Sequence, residues 1–211
     1  MMRRWLSGRA AKPVLFVAGL MPLAWLLWGA LAQNLGPNPA EALIRSTGDW
    51  TLRMLCLVLA VTPLRVMTGT PALARLRRMV GLFVYFYAML HLLCYAWLEM
   101  GFDLSDIVRD IVKRPFILFG FLGWLLLTAL AATSFNRAIR WLGARRWQWL
   151  HRSVYLVAAL AVLHFFWMRA GKNDFAEVAV YGAILAALLG WRVVAAWRRR
   201  RPDVHAPRAA T

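Results

Sequence analysis

The sequence has 211 residues, of which 62% are hydrophobic and only 17% charged, with 12 Trp and a formal net charge of +17. That balance excludes an ordinary soluble domain, and the apolar runs leave no stretch long enough for a soluble catalytic domain. The positive charge gathers in short segments between apolar runs, a distribution that argues against a nucleic-acid surface.

A bilayer core about 30 Å thick takes roughly 20 apolar residues per helical span. Six segments meet that length: 13–33, 48–67, 79–100, 115–134, 149–169 and 176–197. The expected fold is therefore all-α, a polytopic six-transmembrane-helix bundle over 13–197. A cytoplasmic N-terminus (1–12) and a basic cytoplasmic tail (198–211) flank it. Arg3, Arg4, Arg9 and Lys12 precede the first span, and Arg65, Arg75, Arg77 and Arg78 lie between the second and third. Arg137, Arg140, Arg145 and Arg146 lie between the fourth and fifth, and Arg198 to Arg201 follow the sixth. The alternate connections carry Glu41, Asp49, Glu99, Asp103, Asp106, Asp110, Asp174 and Glu177, leaving only Asp203 on the basic side. By the positive-inside rule the arrangement is N-in/C-in.

The first span ends in Ala30-Leu31-Ala32, a small-residue pattern also found at signal-peptide cleavage sites, and Arg3-Arg4 suggests a twin-arginine signal. Its apolar run is longer than a signal h-region, and its removal would leave an odd number of spans, so it is read as a retained helix. Next, Asn38-Pro39-Ala40-Glu41 reads as a capped helix start, and Gly48 is expected to end that short helix before the second span. Pro63 is expected to bend or end the second helix near its inner end. Residues 102–113 place Phe102, Leu104, Ile107, Val108, Ile111 and Val112 on one stripe among charges. They predict an amphipathic helix lying in the membrane interface or offering a docking face, with Pro115 opening the fourth span. Cys56 and Cys94 lie in different spans without CxxC spacing and read as packing residues.

Ionisable groups inside a membrane are costly, so intramembrane histidines are functional candidates. His91 lies in the third span, and His151 and His164 in the fifth, whereas His205 lies in the polar tail. Counted from the outer ends of their spans, His91 and His164 fall within about 5 Å of the same level. Two imidazoles facing one another suit bis-histidine haem b ligation. Zinc would want further N or S ligands that this depth does not supply. His151 lies about 20 Å from His164 along the helix, at the cytoplasmic edge, so one haem cannot use both. A straight helix also turns the two rings to different sides, so a tilt or local irregularity is required. On the third span Arg77 is placed to approach an inner haem, as an unusual ligand or as a partner for a propionate. Arg78, Arg145, Arg146 and Arg152 are either further anion partners or ordinary positive-inside charge. Arg53, inside the second span near the depth of His164, suits a propionate or snorkels outward. Phe83, Tyr85, Phe86, Tyr87, Trp124, Phe165, Phe166 and Trp167 are placed to flank haem faces, to pack the core or to form interfacial belts. No GxGxxG motif follows a strand, so a nicotinamide cofactor has no Rossmann domain here.

These histidines fall within stretches that resemble a known family. The stretches are Asn38 to Arg45, Thr62-Pro63-Leu64-Arg65, Arg77-Arg78-Met79-Val80-Gly81-Leu82, Tyr87 to His91, Lys113-Arg114-Pro115, Trp149-Leu150-His151-Arg152 and Leu163-His164. The chain is similar to the MsrQ (YedZ) family, the haem-binding membrane subunits of the bacterial periplasmic methionine sulfoxide reductase system. That family is in turn similar to the ferric reductase-like transmembrane superfamily, whose cores hold stacked haems between two histidine-bearing helices. The third span departs from the superfamily pattern, with Arg77 where an inner histidine is expected. The resemblance implies one or two haems b in a multi-pass protein of the bacterial inner membrane. It also implies electron transfer from the respiratory quinone pool, or from a cytoplasmic flavin reductase, to a periplasmic molybdenum-cofactor reductase that repairs oxidised methionines. FMN is associated with the family, without residues assigned to it. The competing classes are a histidine-dependent proton or ion carrier and a non-redox membrane anchor.

Overall fold

The structure, a computed structural model, describes residues 8, 10–171 and 173–200, excluding the side chains of residues 199 and 200. Arg3, Arg4, Arg9, Arg201, Asp203 and His205, named above, lie outside the described residues. The chain forms α1 (Ala11–Leu31), α2 (Pro39–Thr68), α3 (Arg77–Cys94), α4 (Leu104–Lys113) and α5 (Pro115–Ala132). It continues as α6 (Asn136–Leu142), α7 (Ala144–His151), α8 (Val154–Ala170) and α9 (Ala176–Arg200). A 3-10 turn, Pro71–Arg75, leads into α3, and a π turn, Tyr95–Glu99, extends it. Among the described residues there is no strand, and six helical spans are long and apolar enough to cross a membrane.

Side-chain caps fix the starts of α2 and α4. The Asn38 side chain accepts from the Glu41 N–H at 3.2 Å, and Pro39 occupies the first turn, as the sequence predicts. Asp103 caps α4 by accepting from Ser105 N at 2.8 Å, Ser105 Oγ at 2.6 Å and Asp106 N at 3.1 Å. These bonds, the Ser105 hydroxyl's first, hold the Asp103 carboxyl below the usual carboxylate range. Of the predicted stripe, Leu104, Val108 and Val112 are exposed on α4 and Ile107 and Ile111 are half-buried, while Phe102 precedes the helix. Asp110, on its opposite face, is buried and accepts from the Tyr95 hydroxyl at 2.7 Å, tying α4 to the end of α3.

The expectation about Gly48 is corrected, and for Pro63 one of its two alternatives. Gly48 does not end a short helix; α2 runs unbroken from Pro39, and Gly48 lies inside it against the His91 ring. Pro63 does not end the helix either, since α2 continues to Thr68 and stops at Gly69, which adopts a left-handed φ of 57°. Pro63 has no N–H for the Leu59 carbonyl one turn earlier. The Arg192 guanidinium, reaching across from α9, donates to that carbonyl instead. A proline survives inside a membrane helix when a neighbour satisfies the carbonyl it frees. This accounts for an arginine so far inside α9, which also bonds Leu188 O at 2.8 Å and lies 5.7 Å over the Tyr155 ring.

The core is one cluster drawn from α2 (Leu52, Leu55, Val58, Leu59), α3 (Phe83, Val84, Tyr87), α5, α8 and α9. Helix α3 packs chiefly on α2, and α8 chiefly on α5, with α9 lying against α2 and α8. Tyr87 is fully buried, and its hydroxyl donates to Gly19 O at 2.6 Å, fastening α1 to the bundle. Large apolar side chains such as Trp25 and Leu31 face outward, as they do in a protein solvated by lipid. The two central basic connections meet where Arg78 donates to Asn136 Oδ1 at 2.9 Å.

Candidate functional site

His91 on α3 and His164 on α8 come together in the middle of the bundle. Their ring centroids are 6.1 Å apart and their planes stand at 76°. The two helices are not packed side by side; each histidine reaches inward from a helix backed by another. His91 Nδ1 lies 2.9 Å from the Ile44 carbonyl on α2, and His164 Nδ1 lies 2.7 Å from the Phe116 carbonyl on α5. A carbonyl only accepts, so Nδ1 carries the hydrogen on both rings, and Nε2 is left as the nitrogen with a lone pair.

This is the state of a metal-binding imidazole, with the far N–H held by a backbone carbonyl that fixes the tautomer and raises ligand basicity. The spacing fits one iron. A metal–imidazole bond of about 2 Å on each side, plus about 1 Å from nitrogen to ring centre, spans about 6 Å. Among the described residues no three His, Cys, Asp or Glu side chains gather into a metal site. A bare ion is therefore poorly served, whereas haem brings its own four equatorial nitrogens and asks the protein only for two axial ones.

Arg53 is tied to two aromatic side chains. Its Nε donates to the Tyr181 hydroxyl at 3.1 Å, and its guanidinium lies 4.8 Å over the Trp50 ring. These ties run to α9 and along α2. Nearby, Arg169 pairs with Asp174 at 3.0 Å and with Glu177, and its guanidinium lies 5.4 Å from the Phe165 ring. Arg169 thereby closes the outer end of α8 beyond His164, a role sequence reading did not give it.

At the basic end a cavity of about 510 Å³ is walled by Arg77, Arg78, Trp147, His151, Arg152 and Tyr155. His151 and Arg77 thus share one space, as the sequence suggests. The irregularity required between His151 and His164 is present: α7 ends at His151, and α8 restarts at Val154. His151 differs chemically from the outer pair. Its Nε2 lies 3.1 Å from the Thr133 hydroxyl, which spends its own hydrogen on Ala129 O at 2.8 Å. Thr133 then accepts from Nε2–H, and the lone pair of His151 sits on Nδ1. Trp147 stacks on the ring at 4.0 Å and donates its indole N–H to Thr133 O at 2.8 Å. Sequence reading missed Ile44, Phe116 and Thr133, because a backbone carbonyl carries no residue signature and a lone threonine is commonplace.

A family model described as the ferric reductase like transmembrane component matches residues 47–162. The chain is 65% identical to the protein-methionine-sulfoxide reductase heme-binding subunit MsrQ of Polaromonas naphthalenivorans, over 96% of this chain and 92% of that one. It is 54% identical to the MsrQ of Bordetella pertussis, over 90% and 91% of the two chains. It is 44% identical to the MsrQ of Xanthomonas campestris pv. campestris, over 94% and 91%. No solved structure matches.

Proposed function

Because this chain belongs to the MsrQ family, ferric reductase-like multi-pass membrane proteins, we propose that it is the haem-binding electron-transfer subunit of a methionine sulfoxide reductase system. The observation that carries this reading is the pairing of His91 and His164, with both Nδ1 hydrogens committed to carbonyls and both Nε2 lone pairs left for one iron. Haem b held there would supply reversible one-electron chemistry in the outer half of the membrane. Each ring is held by its bond to a helix carbonyl, which limits how far it reorganises when charge changes.

The basic end is proposed as the side where electrons enter. His151 and Arg77 line its cavity, and Arg78 and Arg152 add positive charge for an anionic group. A second haem is one occupant consistent with the cavity, and His151 would then ligate through Nδ1 or surrender its bond to Thr133. We propose the quinone pool of the bacterial inner membrane, or a cytoplasmic flavin reductase, as donor. The acceptor is a periplasmic molybdenum-cofactor subunit, on which the reduction of methionine sulfoxide takes place. FMN, the other group the resemblance implies, we assign to no residues.

Purified, haem-supplied protein tests the reading. It should show reduced haem b absorption bands and should lose them on oxidation by the periplasmic reductase with a methionine sulfoxide substrate. Absence of the bands would leave a carrier or a non-redox anchor. Bands that the reductase cannot oxidise would remove the proposed partner.

A further inference from the structure

The two histidines are seated in the same way on two different helices. On α2, His91 bonds the carbonyl of Ile44, and the residue four positions on is Gly48. On α5, His164 bonds the carbonyl of Phe116, and the residue four positions on is Gly120. In an α-helix the carbonyl of residue i accepts the N–H of residue i+4, and the Cβ of residue i+4 leans back toward the N-terminus, over that carbonyl. A glycine at i+4 leaves the carbonyl's second lone pair open to a ring arriving from the side.

The distances show how completely that space is used. A Cβ at position 48 would stand 3.1 Å from His91 Cε1 and 3.2 Å from its Nδ1. A Cβ at position 120 would stand 2.9 Å from His164 Nδ1 and 3.0 Å from its Cε1. The nearest atoms in both cases belong to the histidine ring, not to a neighbouring backbone, so close helix packing does not explain these glycines. By contrast, Gly182 and Gly190 on α9 have nothing within 4 Å of an added Cβ.

We propose that Gly48 and Gly120 are positioning residues that hold the two axial imidazoles in tautomer and in plane. Each does so by keeping one helix carbonyl accessible to Nδ1–H. This rests on the reading of His91 and His164 as ligands to one haem iron. An added methyl meets each ring at Nδ1 and Cε1, beside the hydrogen bond, so the ring must shift on its carbonyl, further at position 120 than at position 48. Disturbing that bond weakens the imidazole as a donor to ferric iron. The midpoint potential then rises, and the angle between the ring planes changes.

The experiment compares Gly48→Ala, Gly120→Ala and the control Gly182→Ala as purified, haem-loaded protein. Haem content, the ferric low-spin resonance and the midpoint potential are read for each. The control should match the parent in all three. Gly48→Ala should keep its haem with a shifted resonance and a higher potential. Gly120→Ala, the tighter seat, should shift further or lose haem with the fold retained by circular dichroism. If Gly120→Ala fails to accumulate, Gly48→Ala alone decides. Both alanine variants matching the control in resonance and potential would overturn the proposal. A parent protein without any bis-histidine resonance would instead remove the haem reading beneath it, so the two failures are distinguishable.

Discussion

The rings of His91 and His164 stand nearly perpendicular, at 76°, while their centres are 6.1 Å apart. Each plane is set independently by a carbonyl on a different helix, so nothing forces the two planes to align. Perpendicular axial imidazoles leave the iron d orbitals nearly degenerate. If the two rings hold one haem iron as proposed, the ferric protein should give a highly anisotropic low-spin resonance, and a conventional rhombic signal from parallel rings would contradict this geometry.

The proposed N-in/C-in orientation rests on the distribution of charge. Reporter fusions after Arg78 and Arg146 should read as cytoplasmic, and fusions after Asp106 and Asp174 as periplasmic. A consistent reversal would invert the proposed direction of electron flow.

Pro63 and Arg192 should be energetically coupled. Arg192→Met leaves the Leu59 carbonyl without a donor, which should cost about 1–3 kcal/mol of stability. In a Pro63→Ala background residue 63 regains an N–H for that carbonyl, and the cost should fall. Thermal unfolding of the four proteins in detergent measures the cycle. Equal costs in both backgrounds would show that the guanidinium does not replace the missing bond.

The inner cavity makes a kinetic prediction. His151→Ala should slow reduction by the cytoplasmic-side donor while leaving the outer haem spectrum largely intact. Arg77→Ala should give a weaker defect if it serves an anionic group and an equal one if it ligates iron. Arg77→Lys should restore more in the first case, because a point charge replaces a charge contact more readily than a planar fork. Reduction of His151→Ala at the parent rate with unchanged haem content would make His151 structural.

Much of this architecture was legible in the sequence. Six apolar runs separated by alternating charge gave the six spans, and depth counting put His91 and His164 at one level. The misreadings came from interactions between distant residues. A glycine ten residues after a cap reads as a stop, and only the arrival of His91 from α3 shows why Gly48 belongs inside the helix. A proline at position 63 reads as a bend or an end, because the donor that replaces its N–H comes from α9. The rotational conflict between His151 and His164 was visible as arithmetic, and the helix is broken between them at Arg152 and Ser153. Backbone carbonyls, which fix both histidine tautomers, have no expression in side-chain identity.

The central claim is that His91 and His164 hold one iron between them, and the spectra of two single variants test it most directly. His91→Ala and His164→Ala, each purified from haem-supplied cells, should lose the same low-spin haem b signal, while both retain helical content by circular dichroism. A normal bis-histidine spectrum surviving in either variant would contradict the pairing.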